Sequence, residues 1–193
     1  MTQPIIALVG ISGVGKSTLL RAAAETLTFQ HLQASALIKE AKERRTSAAV
    51  ASDELRTADI ADNQALLVEG FGLARNSGDA LVVLDGHTVI DTPLGLITIE
   101  PSVFAAVGVT QFIFVADDPN AILSRRTDDQ SRNRPQRSAL ELEQHQEQAV
   151  LAAFKAALHL GVPLHMLTPH QREALIEIFA KAAEPGHLYS SSR

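Results

Sequence analysis

The chain has 193 residues, 46 % of them hydrophobic and 20 % charged, with a net charge of −5 and no cysteine. The absent thiols exclude disulfides, thiolate metal sites and cysteine nucleophiles, and the acidic balance argues against nucleic acid or an anionic membrane surface as a partner. No stretch nears the roughly 20 apolar residues of a membrane span and no basic segment leads into a signal core, so a cytoplasmic location is expected.

The length suits one core, read as a single domain over residues 1–185 with a flexible tail at 186–193. The apolar run Ile5–Val9 is the first strand, and it leads directly into Gly10-Ile11-Ser12-Gly13-Val14-Gly15-Lys16-Ser17. Glycines here let the backbone curl so that successive N–H groups face phosphate oxygens. Lys16 then places a point charge on the outer phosphates, and the Ser17 hydroxyl suits Mg²⁺. A helix over Thr18–Leu27 presents its positive end to the same anion. Phe29–Ala34 reads as a short strand, Ala36–Arg45 as a charged helix and Ser47–Ser52 as a loop. Asp53 caps a long helix reaching about Arg75, in which Leu66-Leu67-Val68 belongs to the core. After the turn Asn76–Asp79, the strand Leu81–Leu84 ends at Asp85, and Gln111–Ala116 ends at Asp117-Asp118-Pro119. A helix over Ala139–Leu160 stops at Gly161, and the strand Leu164–Leu167 and the helix Gln171–Ala183 complete the chain. Strands alternating with helices predict an α/β fold built on a parallel sheet covered on both faces.

Ligands of such sheets collect at the carboxyl ends of the strands. Three groups fall there: Gly10–Ser17, Asp85-Gly86-His87, and the helix start after Asp117. Asp85 is placed to hold a Mg²⁺-bound water beside Ser17, or alternatively to cap a turn. No Glu follows it, unlike in many ATP-driven motors, and no Asn-Lys-x-Asp stretch selects guanine. The seven histidines are scattered, without HExxH or i,i+4 spacing, so no metal cage is expected from them. Residues 125–137 hold five arginines: Arg125, Arg126, Arg132, Arg134 and Arg137. Arginine matches phosphate oxygens in pairs, so a flap closing over bound nucleotide is one reading. The other is a solvated helix in which Arg125 and Arg126 pair with Asp128 and Asp129, which leaves Arg132, Arg134 and Arg137 without nearby acids.

Taken in order, GISGVGKS, ASDELR, VVLDGHTVIDTPLG, DDPNAILSRRTDDQSRNR and EQHQ resemble the archaeal-type adenylate kinases, a branch of the P-loop nucleoside monophosphate kinases. The resemblance runs from about Ile5 to Leu167. It implies a three-layer fold with a five-stranded parallel sheet, a helical monophosphate-binding insertion near 36–60 and an Arg-rich lid near 126–138. By position, it implies that Gly10, Ser12, Gly13, Val14, Gly15, Lys16, Ser17 and Thr18 bind ATP. Lys16, Arg126, Arg132 and Arg134 would act on the migrating phosphoryl group. Arg56, Gln64, Asp85, His87 and Gly95 would meet the acceptor, and Ser17 and Asp85 would serve Mg²⁺. His145-Gln146 would support the lid. The sequence departs from the family at Gly95-Leu96-Ile97-Thr98-Ile99-Glu100-Pro101, where Gly-Tyr-Leu-Pro-Gly-Leu-Pro is usual, and at Pro135, where an acid is usual. The expected reaction is transfer of the γ-phosphoryl of MgATP to AMP or a related monophosphate, with small-molecule nucleotides as partners and the oligomeric state open. Two rivals are a kinase acting on a hydroxyl, with Asp53, Asp85 or His87 as base, and a nucleotide-dependent interaction protein.

Overall fold

A computed structural model describes residues 3–46, 60–129 and 134–184. The expectations for Arg56, Arg132 and the Asp53 cap lie outside these residues. Strand β1 (Ile5–Val9) is buried at all five positions, as an apolar run flanked by strands on both sides must be. It pairs in parallel with β3 (Val82–Gly86) and with β6 (Gln111–Val115). Outside them lie β2 (Gln30–Gln33) on β3 and β7 (Leu164–Leu167) on β6, also parallel, giving the order β2-β3-β1-β6-β7. Chain direction across the sheet therefore reverses around β1, and a crevice opens there at the carboxyl ends.

Helices α1 (Lys16–Ala24) and α7 (Arg172–Ala183) pack together. A second group runs α2 (Ala34–Thr46), α3 (Ile60–Ala74), α4 (Pro101–Val107), α6 (Ala139–Leu160) and α5 (Pro119–Asp128). With the sheet between them these helices complete the expected three-layer α/β architecture. The core is centred on β1, β3 and β6 and includes Phe112, Phe114 and Phe179, all fully buried. Leu66 and Leu67 of α3 are buried too, as expected.

The helix ends carry their own signals. Asp118 accepts from the amides of Asn120 and Ala121 at the start of α5. Ser138 and Glu141 form a reciprocal capping box on α6, and Gly161 ends that helix in the left-handed region.

Three features differ from the sequence reading. The segment Gly95–Pro101, where the sequence departs from the family, forms part of a hairpin that the sequence reading did not assign: β4 (Val89–Thr92) pairs antiparallel with β5 (Gly95–Thr98), and Pro101 opens α4. The Thr92 hydroxyl makes this turn by donating to the Gly95 carbonyl at 2.8 Å and accepting from the Leu94 amide at 3.2 Å. Helix α1 ends at Ala24, and Leu27 returns to it only through its amide on the Ala23 carbonyl. Of the arginines expected to lie without nearby acids, Arg134 and Arg137 do meet carboxylates, described below.

Helices α2 and α3 approach closely. A Cβ on Gly70 would lie 2.7 Å from the Leu37 carbonyl oxygen, so glycine is what permits the crossing. Arg45, near the end of α2, reaches Asp62 at 3.4 Å and also pairs with Glu69, both on α3. Among the described residues no helix is long and apolar enough to cross a membrane.

Candidate functional site

The crevice at the carboxyl ends of the sheet is a cleft of about 280 Å³. Its floor is the loop Ile11–Ser17, one wall is Gln33–Ser35 with Asp85–His87, and the other is Arg125, Asp129 and Arg134. The loop can turn there because Gly13 (φ 87°) and Gly15 (φ 106°) occupy the left-handed region, where a side chain would be strained. Gly10 is needed for another reason: a Cβ at that position would lie 2.6 Å from the Val115 carbonyl oxygen.

Lys16 opens α1 with only 9 % of its side chain exposed. Its Nζ donates to the Gly10 carbonyl at 3.1 Å and stands 3.7 Å from Oδ1 of Asp85. Asp85, at the end of β3, also has Nε2 of His31 at 3.5 Å from its Oδ2. Burial alone would raise the Asp85 pKa. The hydrogen bond with His31 and the attraction of Lys16, His87 and His31 outweigh it and hold the carboxyl below its ordinary value, so it stays anionic. His87 Nδ1 lies 2.6 Å from the Gly10 carbonyl. The loop and the end of β3 are thus tied through one carbonyl oxygen.

The opposite wall is cationic. Arg134 has 7 % of its side chain exposed and pairs through Nη2 with Asp129, while its buried Nε and Nη1 have no hydrogen-bond partner among the described residues. A buried guanidinium with two donors unmet is a costly arrangement in the absence of an anion. Arg125 donates from Nε to the Gly13 carbonyl at 2.8 Å and pairs with Asp117. Asp117 is itself fixed by Gln146, which accepts from its amide and donates to its carbonyl, both at 3.0 Å. That is how the His-Gln pair of α6 reaches the site. His145 is buried and sets its Nε2 3.4 Å from the Val89 carbonyl, bracing the hairpin.

The local pairing of Arg125 and Arg126 with Asp128 and Asp129 is not what forms. Arg126 points to Asp91 on β4, Arg137 reaches Asp91 and Glu141, and Asp129 takes Arg134. Sequence reading missed these acids because Asp117 and Asp91 reach the arginines only through the packing of α5 against the sheet and hairpin. It also missed His31, Gln33 and Ser35.

Of the expected residues, Ser12, Gly13, Val14, Gly15, Lys16, Ser17, Asp85, His87 and Arg134 come together around the cleft. Gly10 lies beneath it, serving through its carbonyl. Thr18 is exposed on α1, Gln64 is half-buried on α3, Gly95 sits at the hairpin turn, and Arg126 is turned toward Asp91; none of the four lines the cleft.

Residues 9–143, more than half of the chain, match the AAA domain family. The adenylate kinase of Methanoculleus marisnigri is 30 % identical over 173 residues, covering 84 % of this chain and 88 % of that protein. The adenylate kinase of Thermoplasma acidophilum is 29 % identical over 167 residues, covering 83 % and 87 %. Among solved structures, shikimate kinase from Acinetobacter baumannii in complex with shikimate superposes with a TM-score of 0.55 at 18 % identity, covering 93 % of this chain and 92 % of that one. That likeness shows the P-loop kinase fold. With a phosphate-type loop, a carboxylate at the end of β3 and an arginine wall in one cleft, the chain belongs to the archaeal-type adenylate kinase family, a branch of the ATP-dependent P-loop phosphotransferases.

Proposed function

We infer that the protein is a nucleoside monophosphate kinase, transferring the γ-phosphoryl of MgATP to AMP or a related monophosphate. The observation that carries this reading is the facing of two buried cations across the glycine loop: Lys16, and Arg134 with two unmet donors. Cations so placed match a polyphosphate, which supplies the acceptors that Arg134 lacks.

The loop glycines and the exposed Ser17 fit a nucleotide. Among the described residues no group of three or more His, Cys, Asp or Glu side chains gathers that could hold an ion. Ser17 and Asp85 would therefore hold Mg²⁺ together with the nucleotide's own phosphates, in the usual manner of that ion. When bound it supplies charge neutralisation on those phosphates. The protein's part is positioning. Lys16 moves from the Gly10 carbonyl onto the outer phosphates, Arg134 neutralises the migrating group, and Arg125 keeps the loop closed through Gly13. Arg56, which the resemblance assigns to the acceptor phosphate, would orient it for in-line attack together with Arg132 of the lid. An acceptor phosphate oxygen is already a nucleophile, so no base is required.

The test is ADP release from MgATP with each nucleoside monophosphate in turn, with Lys16→Ala as the blank. Turnover with one monophosphate, lost in the variant, is expected. Arg56→Ala should raise the acceptor KM far more than the ATP KM. Turnover only with a hydroxylated acceptor, or with none, would overturn the assignment.

A further inference from the structure

The hairpin carries a buried acid at Asp91, whose side chain is 3 % exposed. Two arginines from different parts of the chain converge on it, and their contacts are unequal. Arg137, just before α6, approaches Oδ1 with Nη2 at 2.9 Å and Nε at 3.3 Å, and also donates to the Thr92 carbonyl at 3.4 Å. Arg126, on α5, reaches Oδ2 with Nη2 at 3.5 Å, the outer limit of a hydrogen bond. Arg126 is buried as well, with 7 % of its side chain exposed.

The stem of Arg126 crosses the glycine loop. A Cβ on Gly13 would lie 2.8 Å from its Cγ. Gly13 lines the cleft and Asp91 does not. A cation is thus held directly above the loop while its charge is met outside the cleft. Moving a buried charge off its partner is ordinarily expensive, because the group left behind is stranded. Here it is not stranded: Asp91 keeps the two-pronged contact with Arg137 whether Arg126 stays or leaves.

We propose that Asp91 is a positioning residue that parks Arg126 in the nucleotide-free protein and releases it to phosphate. This rests on the reading of the cleft as a nucleotide site. Arg126 changes its anion from the Asp91 carboxylate to a phosphate oxygen by swinging its guanidinium about a stem already seated on Gly13. Part of the binding energy of the nucleotide is consumed in the exchange, and Arg137 sets how much.

Two substitutions should act in opposite directions on the affinity for Mg²⁺ and AMPPNP, measured by titration calorimetry. Asp91→Asn keeps the shape and an acceptor for Arg137 but removes the charge competing for Arg126. Its dissociation constant should fall about tenfold, equivalent to about 1.4 kcal/mol. The gain should vanish when Arg126→Met is added. Arg137→Gln leaves Arg126 as the main partner of Asp91, and its dissociation constant should rise about tenfold. The two are independent tests should either variant fail to fold. Wild-type binding with unchanged or weaker affinity in folded Asp91→Asn, or unchanged affinity in Arg137→Gln, overturns the parking role alone. Absence of AMPPNP binding by the wild type overturns the nucleotide reading and the parking role with it.

Discussion

Arg134→Met should make the nucleotide-free protein more stable while weakening nucleotide binding. The side chain is 7 % exposed, with Nε and Nη1 unpartnered among the described residues. Each buried donor left unmade costs about 1–3 kcal/mol. The opposing contribution is the pair with Asp129, which is 36 % exposed and stabilises by about 0.2–1 kcal/mol. Methionine fills much of the same space without donors. Two such donors cost about 2–6 kcal/mol, so the net gain is about 1–6 kcal/mol, and at about 2–4 °C per kcal/mol in a chain of this size Tm rises by at least about 2 °C. Scanning calorimetry without ligand measures it. In the same variant, MgATP at a hundredfold excess over the wild-type Kd should stabilise by less than the increment of about 2.7 kcal/mol that the wild type gains. A lower Tm in the free variant, or an undiminished response to MgATP, would refute the idea that Arg134 is held strained for an anion.

Gly10→Ala drives a Cβ to 2.6 Å from the Val115 carbonyl oxygen, and β6 cannot yield without breaking its pairing. Urea unfolding should show a loss of about 1–3 kcal/mol. Gln146→Ala removes both hydrogen bonds to the Asp117 backbone and should cost about 1–2 kcal/mol. Because Asp117 holds Arg125 on the loop, the ATP KM should rise about threefold, as for other losses of positioning. His145 has its pKa lowered chiefly by burial and further by Arg126 and Arg137, against the opposing Val89 carbonyl and Asp91. The folded state thus favours the neutral ring. Its contribution is complete above the ordinary value near 6.5 and is lost as pH falls through the lowered folded value. Denaturation between pH 7 and 5 should show a steeper loss in wild type than in His145→Asn. Some slope should persist, because burial lowers His165 in the same direction.

The sheet was legible because its central strands are unbroken apolar runs: Ile5–Val9 and Leu81–Leu84 admit no partner other than strands on both sides. The loop was legible because glycine, lysine and serine stand at fixed offsets that each have a physical reason. The hairpin was not, since two strands of four residues leave too little periodicity, and its turn depends on the Thr92 hydroxyl, a local bond that Pro93 and Leu94 do not advertise. Helix α4 did carry its marks, Pro101 at its first turn and Gly108 at its end, but its seven residues are short for a periodic signal. The arginine wall was half legible. Arg125 and Arg134 line the cleft, whereas Arg126 and Arg137 turn to Asp91; the partners Asp91 and Asp117 lie 35 and 8 positions from Arg126 and Arg125 and become neighbours only once the chain is folded.

The tight crossing of α2 and α3, fastened by Gly70 against Leu37 and by Arg45 against Asp62 and Glu69, has an evolutionary side. The contacts that set this crossing belong to the two helices themselves, and none of them involves the glycine loop, Lys16 or Asp85. Descendants of one ancestor could therefore reshape this helix pair while inheriting the same glycine loop.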